Sequence, residues 1–244
     1  SNERRPWDCT KFGRKRVGEH WGTSRGNPRG QSVDRSNRLN NPCLRYTSLF
    51  AGSNVSKQLA RSARKRFGQN FLIDGRVVDA ILASINTSAS DTVVEIGPGH
   101  GAITEGLYAS QCDLILIELD RDLVPGLLAS FVSQSPERCR LLNEDVLNVD
   151  FTQLGSALRI VGNLPYHIST PLLFKLLERG DQIQDIHVML QKEVVNRIVA
   201  VPGESAYGRL GVMIQATARV ESLIDVPPEC FAPPPKVNSG VIRI

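Results

Sequence analysis

The chain has 244 residues, 41% of them hydrophobic, enough for one sizeable core or a core with an appendage. No apolar run reaches the roughly 18 residues a membrane-spanning helix needs. Its five cysteines (Cys9, Cys43, Cys112, Cys139, Cys230) are scattered and lack a CxxC pair, which argues against a disulfide framework or a zinc site and for a reducing, cytoplasmic setting. The net charge of +4 is uneven: residues 1–60 hold 12 basic and 4 acidic residues, net +8, and the remainder is net −4. Any patch for a polyanion in the globular part must therefore be local.

Residues 1–60 are rich in Arg, Gly, Asn and Ser and show no sustained apolar period, so the segment has little to bury and is expected to be disordered in isolation. An upstream extension, a basic arm for RNA and an organelle transit peptide stay open as readings. Order is expected from about residue 63. Gln69 and Asn70 precede a helix marked by Val77, Val78, Ile81, Leu82 and Ile85, with Asp74 as its cap.

A strand, Thr92–Ile96, then runs into Gly97-Pro98-Gly99-His100-Gly101 and a helix. Strand, glycine-rich turn and helix bring backbone N–H groups close to a ligand. The spacing is GxGxG rather than the GxGxxG of pyrophosphate sites, which favours a cofactor without phosphate. Leu114–Ile117 forms the next strand and ends at Glu118, where a carboxylate chelates the hydroxyls of a ribose. Asp120 and Asp122 read as solvated residues at a helix start, the helix spanning about 121–132. A third strand, near Arg140–Asn143, leads to Asp145, which either accepts from an adenine amino group or caps a turn.

The fourth strand, Leu158–Val161, delivers Gly162-Asn163-Leu164-Pro165-Tyr166. This set suits a flat heterocycle with an exocyclic amine: the Asn163 side-chain carbonyl accepts one amino hydrogen, the Leu164 carbonyl, aimed by Pro165, accepts the other, and Tyr166 lies on the ring. An ordinary turn is the alternative. A helix over 171–177 follows, capped by Ser169 or Thr170 with Pro171 at its first position. Then come a strand at 186–190, helices containing Lys192 and Arg197 and opening at Tyr207, a strand at 220–226, a proline-rich loop carrying Phe231 and Lys236, and a final edge or hairpin strand at 241–244. Alternating strands and helices imply an α/β fold with a mostly parallel sheet and helices on both faces, ligands binding at the carboxyl ends of the strands.

Five motifs in this order, Phe67-Gly-Gln-Asn-Phe-Leu72, Glu95-Ile-Gly-Pro-Gly-His-Gly101, Gly162-Asn-Leu-Pro-Tyr166, Tyr207-Gly-Arg-Leu210 and Phe231-Ala-Pro-Pro-Pro-Lys-Val237, resemble the ribosomal RNA adenine N6,N6-dimethyltransferases, in particular the bacterial KsgA type. The resemblance covers about residues 61–244. It implies a Rossmann-like class I S-adenosylmethionine-dependent methyltransferase fold over that span and dimethylation of two adjacent adenosines near the 3′ end of small-subunit rRNA. It also implies S-adenosylmethionine held by Gln69, Asn70, Leu72, Gly97, Gly99, Glu118, Asp145 and Asn163, with no metal. Asn163, Leu164, Pro165, Tyr166 and Phe231 are expected around the target adenine. Arg64, Lys65, Arg66, Lys192, Arg197, Arg209 and Lys236 are candidates for RNA phosphates. The resemblance further implies a pre-30S particle as partner and a monomeric enzyme, and the family's small helical domain after the last strand is expected to be absent. A methylase of large-subunit rRNA, a DNA adenine methylase and a non-catalytic RNA-binding assembly factor are the competing readings.

Overall fold

A computed structural model of the protein describes residues 69–165 and 167–244. The expected basic segment 1–60, the RNA candidates Arg64, Lys65 and Arg66, and Tyr166 lie outside the described residues.

Among the described residues, seven strands form one sheet in the order β4-β3-β2-β5-β6-β9-β7: β2 (Thr92–Ile96), β3 (Asp113–Ile117), β4 (Cys139–Leu142), β5 (Leu158–Asn163), β6 (Ile183–Gln191), β7 (Glu221–Val226) and β9 (Ser239–Arg243). The first five in that order are mutually parallel, and β9 runs antiparallel to both β6 and β7. The last strand is therefore internal rather than at an edge, and its antiparallel pairing with β7 fits the hairpin alternative. Its residues Ser239–Ile242 are all buried, and a strand covered on both sides reads in sequence much like an apolar edge strand. A separate pair joins β1 (Phe71–Leu72) to β8 (Phe231–Ala232).

Alternation along the strands builds a core on each face. Ile96, Ile117, Ile160, Val188 and Ile242 pack with Leu172 and Leu176 of α4 (Ser169–Leu177) and with Val195, Ile198 and Ile214. Val93, Leu116, Val161, Met189 and Val241 pack with Val78, Ile81 and Ile85 of α1 (Gly75–Ile85) and with Leu107 and Leu127. Asp74 caps α1 as expected, its carboxylate accepting from the Arg76 N–H at 2.9 Å. For α4 the N-cap residue is Ile168, and both Ser169 and Thr170 lie inside the first turn. Pro171 thus stands at the third helical position, where the missing N–H still leaves no intrahelical bond unmade.

At the amino-terminal end of the central strands, Arg159 is 7% exposed and ties three segments together. Its guanidinium donates to both Asp185 oxygens at 3.0 and 2.7 Å, to Asp91 at 2.9 Å and to the Ile85 carbonyl at the end of α1 at 2.6 Å. A register shift in β6 brings Asp185 opposite Arg159. Burial alone would raise the Asp185 carboxyl, but the His187 ring, its Nδ1 3.6 Å away, and the bonds from Arg159 outweigh it and lower the pKa to about 2.

Removing one partner strands the other charge inside, so Arg159→Ala should destabilise the fold by about 3–5 kcal/mol in chemical denaturation at neutral pH. A depressed carboxyl contributes stability that is present above its unfolded value, near 3.9, and lost as pH falls through the folded value. Asp185 sets that lower limit at about 2, so the wild type should lose this contribution between these values while Asp185→Asn shows a flatter acid limb.

Candidate active site

The registers of the central strands decide where the chemistry gathers. Ile96 pairs with Ile117 on one side and with Gly162 on the other, so β2, β3 and β5 end level with each other. Gly97, Glu118 and Asn163 leave the sheet together at its carboxyl rim. The Gly97 N–H bonds to the Ile117 carbonyl at 2.9 Å and the Glu118 N–H to the Leu142 carbonyl at 3.0 Å, which keeps the strand tips aligned. In the loop after β2, Gly97, Gly99 and Gly101 have φ of 66°, 62° and 89°. Side chains are disfavoured there, and a Cβ on Gly99 would press on the Phe71 ring at 3.1 Å.

Three buried carboxyl groups stand at this rim. Glu118, 5% exposed, accepts from the Gly99 N–H at 3.2 Å and the Asp120 N–H at 2.8 Å, and burial pushes its pKa up against the pull of those bonds. Glu95, on the inner face of β2, is 2% exposed; burial drives its pKa up to about 8, and Glu118 adds to the rise. Its Oε2 has no hydrogen-bond partner, nor does Oγ1 of the buried Thr104. Asp120 is buried as well, contrary to the solvated helix start expected for it, and accepts from the Gln69 side chain at 2.9 Å. The helix it was assigned to begins later, at Val124, and the exposed Asp122 does fit that reading.

Asn163 is half-buried, and its side-chain N–H donates to the Asn70 carbonyl at 3.0 Å. That bond occupies the donor end of the amide and leaves the carbonyl end as the acceptor directed elsewhere. Leu164 is buried and its N–H bonds to the Met189 carbonyl at 3.2 Å. Phe231 is buried within the β1–β8 pair opposite Leu72, so it is a wall residue rather than a freely presented ring. Asp145 caps a turn by accepting from the Leu147 N–H at 2.9 Å, and it also lines the cavity.

One cavity at the rim is lined by Gln69, Asn70, Leu72, Gly97, Gly99, Glu118, Asp145, Asn163, Leu164, Pro165 and Phe231. Sequence reasoning missed Glu95, His100, Leu119, Asp120, Val146 and His167, which line it too. One had a signal: Glu95 is a lone acid inside an apolar strand, whereas the exposure of Leu119, 49% directly after Glu118, shows only in the structure. Lys192, Arg197, Arg209 and Lys236 lie outside this cavity. Lys192 is ion-paired with Asp225, while Arg197, Arg209 and Lys236 are exposed.

A glycine loop, a buried acid at the next strand tip and a half-buried amide thus share one cavity. The family model described as ribosomal RNA adenine dimethylase matches residues 60–244. A protein of Saccharophagus degradans named ribosomal RNA small subunit methyltransferase A is 53% identical over 194 residues, covering 78% of this chain and 72% of that protein. The protein of the same name from Dechloromonas aromatica is 54% identical, with 75% of this chain and 70% of the relative covered. Among solved structures, a dimethyladenosine transferase from Plasmodium falciparum matches with a TM-score of 0.65 and 28% identity over 71% of this chain, which spans 62% of that one. The 23S rRNA methyltransferase ErmE matches with a TM-score of 0.64 and 26% identity, covering 71% of this chain and 68% of its own. The chain belongs to the ribosomal RNA adenine dimethylase family.

Proposed function

We propose that this protein transfers methyl groups from S-adenosylmethionine to N6 of two adjacent adenosines near the 3′ end of small-subunit rRNA, giving N6,N6-dimethyladenosines during small-subunit maturation. The relatives' names support the small subunit as substrate, since the identity to them is about twice that to ErmE. The observation that carries the reading is the meeting, in one cavity, of the Glu118 carboxylate and an Asn163 amide whose donor end is already engaged.

The residues present fit the cofactor. Three left-handed glycines let backbone approach it, Glu118 can accept from both ribose hydroxyls, and Leu119 and Val146 offer an apolar slot for the adenine beside Asp145. A rim holding Glu95, Glu118 and Asp120 favours a cationic cofactor over a pyrophosphate. S-adenosylmethionine supplies an electrophilic methyl carbon with a neutral leaving group, so no nucleophilic side chain is required.

The protein's task is then alignment and exclusion of water. The Asn163 carbonyl end and the Leu164 carbonyl accept the two amino hydrogens of the target adenine, which favours a pyramidal nitrogen and stabilises the positive charge that develops on it. The proton is afterwards lost to solvent. Because the base must leave its stack, Tyr166 is proposed to replace part of the lost stacking, and Phe231 forms part of the cavity wall. Arg64, Lys65, Arg66, Lys192, Arg197, Arg209 and Lys236 are proposed as phosphate contacts, Lys192 exchanging its exposed Asp225 partner for a phosphate. Residues 61–244 form the catalytic domain in this reading, residues 1–60 an appended segment, and the enzyme acts as a cytoplasmic monomer without a metal.

Incubation with labelled S-adenosylmethionine and separated 30S particles, 50S particles and duplex DNA tests the assignment: label should enter the 30S RNA as dimethyladenosine, and incorporation only into 50S RNA or DNA would overturn it. Asn163→Ala should keep most cofactor affinity while losing about 100-fold or more in turnover, seen by comparing calorimetry with initial rates. Hydroxyl donors bind the ionised form of Glu118, whose pKa is raised. Cofactor affinity should therefore be full at alkaline pH and fall as pH drops through that value, a dependence that Glu118→Gln abolishes while binding about tenfold more weakly.

A further inference from the structure

The amide of Asn163 can serve an amine only in one of its two flips. With the carbonyl end toward the substrate it accepts from N–H; reversed, it presents donors to donors and repels the amine. In the structure the flip is set by the Asn70 carbonyl, which takes the amide N–H at 3.0 Å across a sequence separation of 93 residues. The chain segment that carries Asn70 therefore has to be held to the rim.

Gln69, the residue before Asn70, donates its side-chain N–H to Asp120 at 2.9 Å. Asp120 is 3% exposed and fixed in turn, its own N–H bonding to Glu118 at 2.8 Å and its carboxylate accepting from the Asp122 N–H at 3.2 Å. On the far side of Asn70, Phe71 and Leu72 are held by the short pairing with β8. The segment is thus fastened on both sides of the carbonyl that orients Asn163: by a sheet pair on one and by a buried carboxylate on the other.

We infer that Asp120 and Gln69 are a positioning pair: their hydrogen bond holds the Asn70 carbonyl where it locks the Asn163 amide in the flip that selects an amine as methyl acceptor. Neither residue needs to touch the adenine. This inference rests on the proposed function of Asn163, and it assigns Asp120, one step beyond the ribose carboxylate, a separate role in acceptor choice. The same lock would work equally for any base with a ring amino group, and against a ring carbonyl.

The bond has a chemical signature, because its donor and acceptor can be exchanged. Gln69→Glu sets two carboxylates against each other and should lower the single-turnover rate of methyl transfer, at saturating S-adenosylmethionine, by about 100-fold, as expected for a misplacement of about 1 Å. Adding Asp120→Asn, which supplies an N–H to the new carboxylate, should recover at least about tenfold of that loss. Gln69→Leu, which brings no charge, should also be slow, and Asp120→Asn should not rescue it. Thermal unfolding of all variants separates the lock from general destabilisation: rescue of rate without a matching gain in Tm supports positioning.

A double variant no faster than Gln69→Glu alone, or a wild-type rate in Gln69→Glu, overturns the inference. So does rescue of Gln69→Leu by Asp120→Asn, or recovery in the double variant only in step with Tm. Failure of the underlying reading looks different, as a wild-type rate in Asn163→Ala.

Discussion

Parallel pairing in register is the constraint from which the site follows. Because Ile96 lies opposite both Ile117 and Gly162, three strands stop at one level and three unlike groups, a glycine turn, a carboxylate and an amide, are delivered within reach of one ligand. A slip of one residue would do more than shift a contact: side chains alternate with a period of two, so it would turn Glu118 or Asn163 to the opposite face. The apolar alternation that fills the two cores therefore also specifies the chemistry, since the same register serves both.

The two ends of the sheet handle buried charge in opposite ways. At the amino end Arg159 meets Asp185 and Asp91 and further carbonyls, so charge and hydrogen-bonding capacity are met within the protein. At the carboxyl end Glu95, Glu118 and Asp120 gather with Glu95 and Glu118 shifted upward, Glu95 retaining an oxygen without a partner. Such a rim is costly for the free protein and becomes favourable when a ligand brings positive charge or donors. Charge is thus paired within the protein at the amino end, while the carboxyl rim gathers acids whose capacity a ligand can meet.

Much of this arrangement was legible in the chain because it is written locally. The glycine turn, Glu118 at the next strand tip, the Asn163 loop and the Asp74 cap each depend on neighbours a few residues away, and each stands where its local pattern placed it. What the sequence hid was non-local. The final strand reads as an edge or a hairpin strand because insertion between β6 and β7 leaves no mark in residues 239–243 themselves. Asp120 reads as a solvated acid because its hydrogen-bond donor Gln69 stands 51 positions away. Lys192 reads as an unpaired cation until Asp225 is brought beside it by the β7–β9 pairing. Ser169 and Thr170 both suit an N-cap by type, and only the backbone shows the helix starting sooner than either would cap, with Ile168 at the N-cap.

The position of the Asn70 carbonyl shows why the segment before α1 belongs to the site and is not merely an approach to it. An isolated Asn side chain flips between two hydrogen-bonding patterns of similar energy, and specificity for an amine over a carbonyl needs that degeneracy broken. A backbone carbonyl breaks it more firmly than a side chain could, since it has no rotamers of its own and moves only with the segment that carries it. Here that segment, 93 residues from Asn163 in sequence, is joined to β8 on one side and to Asp120 on the other. Glu118 and the Asn163 amide are consequently linked through one short stretch of chain: Glu118 receives the Asp120 N–H, Asp120 holds Gln69, and Asn70 holds Asn163. In the proposed function, a cofactor seated on Glu118 would stiffen the same chain of bonds that orients Asn163, so order at the first subsite would lower the entropy still to be lost at the second.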